Sequence, residues 1–307
     1  MTYLPYLIAV GACVALIITI LSCRRYVAGT FNDLDRVLDR ILAKDSSLKR
    51  EITEDSRMSK LTHKASRVVD LYRSHMAQTK EEKETIQGFI SDMSHQMKTP
   101  LSSISMYSDL LIEGHLSEEE QQEFLVRVKS GTDKLQWMMD SLIKMSRLEV
   151  GAIVLLPVMA GIRQTLTDSI SGVVALASNK NITIKVTPFE DMLLYHDGKW
   201  TREALNNILE NAVKYSPPDG TIEVSLERLA LYTKIIITDH GPGIEKGDYN
   251  LIYKRFYRGT NVKKEEGAGL GLYLAQLILE KQGGYIMVDS KPKVFTSFSV
   301  FLQNCKN

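Results

Sequence analysis

The chain divides by how its apolar positions recur. The first 23 residues contain no charged side chain. A helix of that length spans about 34 Å, enough for a hydrocarbon core of about 30 Å. Arg24 and Arg25 follow at once. A cleaved signal peptide carries its positive charge ahead of the apolar run, so this order predicts a transmembrane helix over 1–23. The same asymmetry predicts a single pass with the N-terminus outside and everything from Arg24 onward in the cytoplasm. With so short a leader, no extracellular sensor domain is expected.

Residues 24–78 read as a helical connector, without Pro and with Gly29 as their one Gly. Leu34, Val37 and Ile41 keep a 3,4 spacing, and Met58, Leu61, Ala65, Val68 and Tyr72 repeat it. That is the spacing of a coiled-coil seam, although an ordinary surface helix satisfies it too. A stronger helix is predicted over 80–113. Its apolar residues Ile86, Ile90, Met93, Met97, Leu101, Ile104 and Leu111 fall within an arc of about 80°. His95 lies about 160° from the centre of that arc, so it is expected to face solvent. Pro100 removes one backbone donor and is expected to bend the helix. Gly114 ends it, and Ser117 with Glu120 form a capping box for the next. Phe124, Val128, Gly131, Leu135, Met138, Leu142 and Met145 then alternate 4,3. Two helices with long apolar stripes cannot bury them alone, whereas two hairpins can, as a four-helix bundle. This predicts a homodimer, with the hairpin domain over 79–149.

From 150 to 307 the period changes. Short β-rich runs occur at 182–186, 221–226, 232–238, 285–288 and 297–302, and helical patterns interleave at 200–215 and 270–281. The expected fold is an α+β two-layer sandwich, one sheet against helices.

Composition narrows the function. Thirty-eight basic and 37 acidic residues leave a net charge of +1, so no nucleic-acid partner is expected. Cys13, Cys23 and Cys305 show neither a pairing pattern nor zinc spacing, which fits a reducing compartment.

Four clusters carry candidate chemistry. The first is Ser94-His95-Gln96-Met97-Lys98-Thr99-Pro100-Leu101. A solvent-facing imidazole is a competent nucleophile near neutral pH and can meet a mobile donor. The second runs from Asn207 through Asn211 and Lys214 to Tyr215. Asn207 and Asn211 are i,i+4 and Lys214 extends their face. Amide oxygens can ligate Mg²⁺ and a lysine can offset phosphate charge, although a plain polar helix face looks the same. The third, Asp239-His240-Gly241-Pro242-Gly243-Ile244, follows a strand. Its glycines permit close approach of a ligand, and its carboxylate can accept from an exocyclic amine such as that of adenine. The fourth, Gly267-Ala268-Gly269-Leu270-Gly271-Leu272, opens a helix and suits phosphate. No strand leads directly into it, so it is not a dinucleotide fingerprint. The stretch between the last two clusters, rich in Lys, Arg and Glu and containing Phe256 and Arg258, reads as a mobile lid.

In this order, over about 79–302, the clusters resemble the sensor histidine kinases of bacterial two-component systems. The resemblance implies a Bergerat-type ATP-binding domain, ATP and Mg²⁺, and a location at the bacterial cell membrane. His95 matches the phosphoacceptor, and Thr99 the position linked to dephosphorylating the partner. Asn207 and Asn211 match the N box, with Asn211 as the Mg²⁺ ligand. Lys214 and Tyr215 match nucleotide contacts. Asp239, Gly241, Gly243 and Ile244 match the first glycine box, with Asp239 on adenine. Phe256 and Arg258 match the F box, the arginine reaching the γ-phosphate. Gly267, Gly269, Leu270 and Gly271 match the second glycine box. The implied partner is a response-regulator receiver domain. With so little expected outside the membrane, a membrane protein such as a transporter is a further candidate. Two positions depart from the pattern. Gln96 stands where the family places an acidic residue, and it cannot ionise. Phe295-Thr296-Ser297-Phe298 replaces a Gly-x-Gly-Thr motif. The first departure keeps open a chain whose main output is phosphatase activity, and a non-catalytic scaffold is the reading from another class.

Overall fold

The computed structural model describes residues 4–42, 57–259 and 267–306. They fall into two compact units, Met1–Gly88 and Phe89–Asn307. In the first, α1 runs Leu4–Leu42. It continues through Arg24 and Arg25 rather than stopping there, because nothing in that sequence breaks a helix. Gly11–Asn32 within it is long and apolar enough to cross a membrane, and none of that window is buried against protein. Residues 1–3 and 43–56 lie outside the described residues, as do the side chains of Leu34, Val37, Ile41, Met58, Leu61 and Ala65, on which the expected seam rests.

α2 spans Arg57–Glu113. It is longer than the 80–113 reading, and no break marks residue 79. The segment holds one Gly, Gly88, and one Pro, Pro100, too few to interrupt a chain of good helix formers. The helix runs on through Pro100, although that residue has no N–H to give the Gln96 carbonyl. Gly114, at φ 80°, turns the chain out of α2.

α3 spans Glu118–Glu149, and its capping box forms reciprocally between Ser117 and Glu120. Along α3 the stripe from Phe124 to Met145 is the face that is buried or half-buried. A Cβ on Gly131 would lie 2.8 Å from Ile104 Cγ1, so the absence of a side chain is what lets the two helices approach here. One turn higher, Tyr107 packs on Phe124 with ring centroids 5.1 Å apart. The α2 stripe closes less well: Ile90 and Leu101 stay 51% and 59% exposed.

The rest of this unit is the expected two-layer α+β arrangement. In chain order it comprises β1 (Val158–Gly161), α4 (Ile162–Ser178), β2 (Thr183–Val186), β3 (Leu193–His196), α5 (Gly198–Tyr215), β4 (Thr221–Arg228), β5 (Tyr232–Asp239), α6 (Gly271–Lys281), β6 (Tyr285–Lys291) and β7 (Phe295–Gln303). The sheet order is β1-β3-β7-β5-β4-β2, with β6 also on β7. Among the described residues, β2 and β4 pair in parallel and the other pairs are antiparallel. Period-2 alternation sends Ile235 and Ile237 of β5 and Phe298 and Val300 of β7 into the core, where α5 and α6 cover them and α4 packs on α5 and β2. β1, α4 and β3 are additions to the sequence reading. The two strands have four residues each, too short for alternation to register. α4 is rich in β-branched residues, and its N-cap, Gly161, makes no side-chain bond.

Candidate functional site

The Asn-bearing helix α5 is set by its ends. Asp197 caps its start, accepting from Trp200 N at 3.1 Å. Its apolar face, Ala204, Leu205, Ile208, Leu209, Ala212 and Val213, is buried against the sheet layer. The opposite face therefore presents Asn207, Asn211 and Lys214 together to a cleft of about 810 Å³. Asn207 Nδ2 donates to Glu203 O at 2.8 Å, which aims Oδ1 at the start of α6. A Cβ on Gly271 would sit 2.7 Å from that oxygen, so any side chain there would displace the Asn207 amide.

The second wall comes from the end of β5. Asp239 is 3% exposed, and burial raises its carboxyl to about 6. Its Oδ1 accepts from Gly241 N at 2.9 Å, which folds the chain sharply after the strand. Gly241 lies against the end of α5, where a Cβ would meet Tyr215 O at 2.5 Å. Gly243 has φ 72°, a left-handed conformation that favours glycine. Ile244 N is fixed by Ser290 Oγ at 2.9 Å.

The glycine run before α6 forms the third wall. Gly269, at φ 69°, could not carry a side chain, because a Cβ would strike Tyr257 O at 2.6 Å. Its carbonyl accepts from Phe256 N at 2.8 Å, and Phe256 itself adopts φ 60°. Lys214 Nζ reaches across the cleft to within 2.6 Å of a Cβ placed on Gly267, and lies 2.9 Å from Tyr215 Oη. Arg258 and Tyr215 also line the cleft, with Thr296 and Phe298 at the start of β7. Gly241 and Leu270 shape this cleft from behind: Leu270 is fully buried at the N-cap of α6.

The expected lid is folded over its first part. Lys246–Asp248 form a 3-10 turn, and Ile252 and Phe256 are buried. Residues 260–266 of the lid reading lie outside the described residues.

The cleft also takes in residues that no motif singles out. Glu210 lines it, its carboxyl raised first by burial and then by Glu203, with Lys144 opposing. One side is the α3 ridge Val126, Lys129, Ser130, Asp133, Lys134 and Trp137. α3 is tied to this domain by Lys144–Glu203 at 2.6 Å and by an Arg255–Glu149 ion pair. Arg255 also lies over the rings of Phe89 and Tyr273, at 4.9 and 4.7 Å.

The hairpin residues stand apart. His95 is exposed and Gln96 half-buried, and neither lines the cleft. Thr99 lines a second, more open cavity of about 850 Å³ between α2 and α3, with Pro100, Ser103, Tyr107 and Arg127.

Two family models match the chain. The His Kinase A (phospho-acceptor) domain covers residues 85–151, and the histidine kinase-, DNA gyrase B- and HSP90-like ATPase covers 196–305. Among curated proteins, the signal transduction histidine-protein kinase/phosphatase MprB of Mycobacterium avium is 27% identical over 231 residues, 73% of this chain and 43% of that protein. MprB of Mycolicibacterium smegmatis is 26% identical over the same length, 46% of that protein. The chain thus spans less than half the length of these relatives. Among solved structures, Acinetobacter baumannii histidine kinase AdeS matches with a TM-score of 0.54 at 18% identity, over 69% of this chain and 98% of that one. Histidine kinase ThkA, solved in complex with response regulator protein TrrA, matches at 0.60 and 18% identity, over 77% and 67%; both likenesses concern the fold. A phosphoacceptor-type hairpin followed by a glycine-lined ATPase cleft, each matched by one family model in that order, is the arrangement that this chain shares with histidine-protein kinases.

Proposed function

We propose that the chain transfers the γ-phosphoryl group of ATP to its own His95, and then to an aspartate on a response-regulator receiver domain. The observation that carries the reading is the convergence of Asn211, Lys214, Asp239 and the glycine turn on one cleft, in a chain whose hairpin exposes a histidine. The cleft suits a nucleotide: at Gly267 and Gly271 a Cβ would fill the space at the mouth of α6, where phosphate binds best. In this reading Asp239 takes the adenine amine, and Lys214 and Arg258 take phosphate oxygens. Among the described residues, no three His, Cys, Asp or Glu side chains could cage a metal. Mg²⁺ would be held by the nucleotide's own phosphates with the Asn211 amide oxygen, an all-oxygen set that suits it.

In the transfer, a ring nitrogen of His95 bonds to the γ-phosphorus as the bond to the bridging oxygen breaks. ADP leaves, and the ring proton passes to solvent, because Gln96 cannot take it. The half-closed α2 stripe supports a homodimer, and Gly11–Asn32 supports a membrane anchor with the catalytic domains on the cytoplasmic side.

A second reading is favoured by Gln96, and the relatives carry both kinase and phosphatase in their names. Here the main output is removal of phosphate from the partner, through Thr99 at the hairpin groove.

The test incubates the full chain in detergent with γ-labelled ATP and Mg²⁺, beside His95→Gln. Acid-labile, alkali-stable label on the parent alone is expected. ATP binding with no label on either protein overturns the kinase reading. Faster loss of phosphate from a receiver domain with the parent than with Thr99→Ala then favours the second.

A further inference from the structure

We propose that Lys180, outside every motif of the site, is a positioning residue that holds the last turn of α5, and with it Lys214 and Tyr215, against the nucleotide's phosphates. The inference rests on the nucleotide reading above and deepens it.

It begins with a shortage of donors. A helix leaves its last four carbonyls without intrahelical partners, and the residues that follow commonly supply N–H groups to them. α5 ends at Tyr215, and Ser216 N reaches back to Ala212 O at 3.0 Å. The next two residues are Pro217 and Pro218, which have no N–H to give. Ser216 is extended, at φ −64° and ψ 142°, so the glycine-type helix end is excluded as well.

Lys180 fills the gap from a different element. It lies in the turn after α4, two residues beyond Ser178, and is half-buried. Its ammonium group donates to Lys214 O at 2.6 Å, Val213 O at 3.2 Å and Ser216 O at 3.4 Å. An ammonium has three donors, and all three are used here. The positive charge also sits at the negative end of the helix dipole. The backbone of the same residue completes the clamp, because Lys180 O accepts from Asp219 N at 2.9 Å. One residue thus grips both the helix end and the loop leaving it.

What hangs from that turn is the phosphate side of the cleft. Lys180 bonds to the carbonyl of Lys214, whose Nζ reaches the Gly267 turn. Tyr215 follows, with its carbonyl packed on Gly241. Asn207, by contrast, is two turns back in the middle of α5, its Nδ2 on Glu203 O. Freeing the last turn therefore lets Lys214 swing away while the body of the helix stays buried. The expected loss falls on the phosphates first, because Asp239 is anchored at the end of β5 whereas Lys214 hangs from the freed turn.

The test measures dissociation constants of the full chain in detergent for ATP·Mg²⁺ and for adenosine, with the nucleotide-free thermal midpoint. For Lys180→Met, ATP·Mg²⁺ is expected to bind about tenfold more weakly, with adenosine changed less than twofold. Lys180→Arg, which keeps charge and donors, is expected to recover most of the loss, and Lys180→Gln part of it. Unchanged ATP affinity in Lys180→Met and Lys180→Gln overturns the proposal. So does an equal loss for ATP and adenosine alongside a fall in midpoint, because that marks a general role in folding. If Lys180→Met does not fold, the Gln variant decides on the same readouts. No ATP binding by the parent overturns the nucleotide reading itself.

Discussion

Along β5, Thr233, Ile235, Ile237 and Asp239 are buried, and helices close over that face. Along the hairpin, α3 buries Met138, Met145 and Leu148, yet Leu101, Met106, Ile112 and Leu125 keep half or more of their surface in water. One region completes its core within a single chain. The other has a stripe too wide for one partner helix. The difference teaches where the proposed second copy would belong: the sheet domain needs no partner to close its core, whereas a hairpin completed by a second copy would have a stability that depends on concentration.

The largest expected effect of breaking that contrast is in the sheet core. Ile235→Ala, at a fully buried position, should cost about 2–5 kcal/mol, read by denaturant unfolding of the nucleotide-free chain. Leu101→Ala should cost a monomer little, since the side chain is largely exposed, but should shift sedimentation from dimer toward monomer. Equal unfolding costs at the two sites would remove the contrast.

Asp239 gives the next effect. Its carboxyl is raised from 3.8 to about 6 by burial, so the folded chain holds this proton more tightly than the unfolded chain does. The stability it contributes is fully present below pH about 4 and is lost as pH rises through about 6, a change of about 3 kcal/mol at most. Asp239→Asn should flatten the unfolding free energy across that window. An amine donating to the carboxylate selects its charged form, so ATP affinity should weaken about tenfold from pH 7 to pH 5 in the parent. A parent profile as flat as that of the Asn variant would place adenine elsewhere.

Smaller again is the tie between the two regions. The Glu149–Arg255 pair is partly exposed, at 32% and 24%, and such pairs contribute about 1 kcal/mol or less. Glu149→Gln should change the rate of His95 labelling by up to about fivefold and leave ATP affinity unaltered. A change confined to affinity would mean that the pair serves the cleft alone. Smallest is Ser117→Ala, which removes one side of the α3 capping box and should lower the hairpin's thermal midpoint by about 2–4 °C.

What was legible in the sequence follows from the range of the forces involved. The α3 stripe, the Ser117 box and the long strands β4 to β7 depend on residues within a few positions of each other, so their spacing carries them. The gathering of Asn207, Asn211 and Lys214 is legible because an i,i+4 helix face is a local fact. α4 was hidden because Thr165, Thr167, Ile170, Val173 and Val174 read as β-branched, and tertiary burial outweighs that preference. The α3 ridge in the cleft and the Glu149–Arg255 pair join residues about a hundred positions apart, where no period reaches. Lys180 was hidden for the same reason. The distance between His95 and the cleft walls was also illegible, because a motif records which residues act and not which conformation the chain occupies.

Pro100 has a mechanical consequence. Every rung of the α2 ladder is a spring that resists bending, and the rung from residue 100 to Gln96 is missing by covalent structure. That rung lies one residue beyond His95, on a helix otherwise unbroken from Arg57 to Glu113. Compliance is therefore concentrated beside His95, the ring proposed above to be phosphorylated. A rod stiff everywhere else would flex there, and a load carried along it would be expected to reorient the imidazole first.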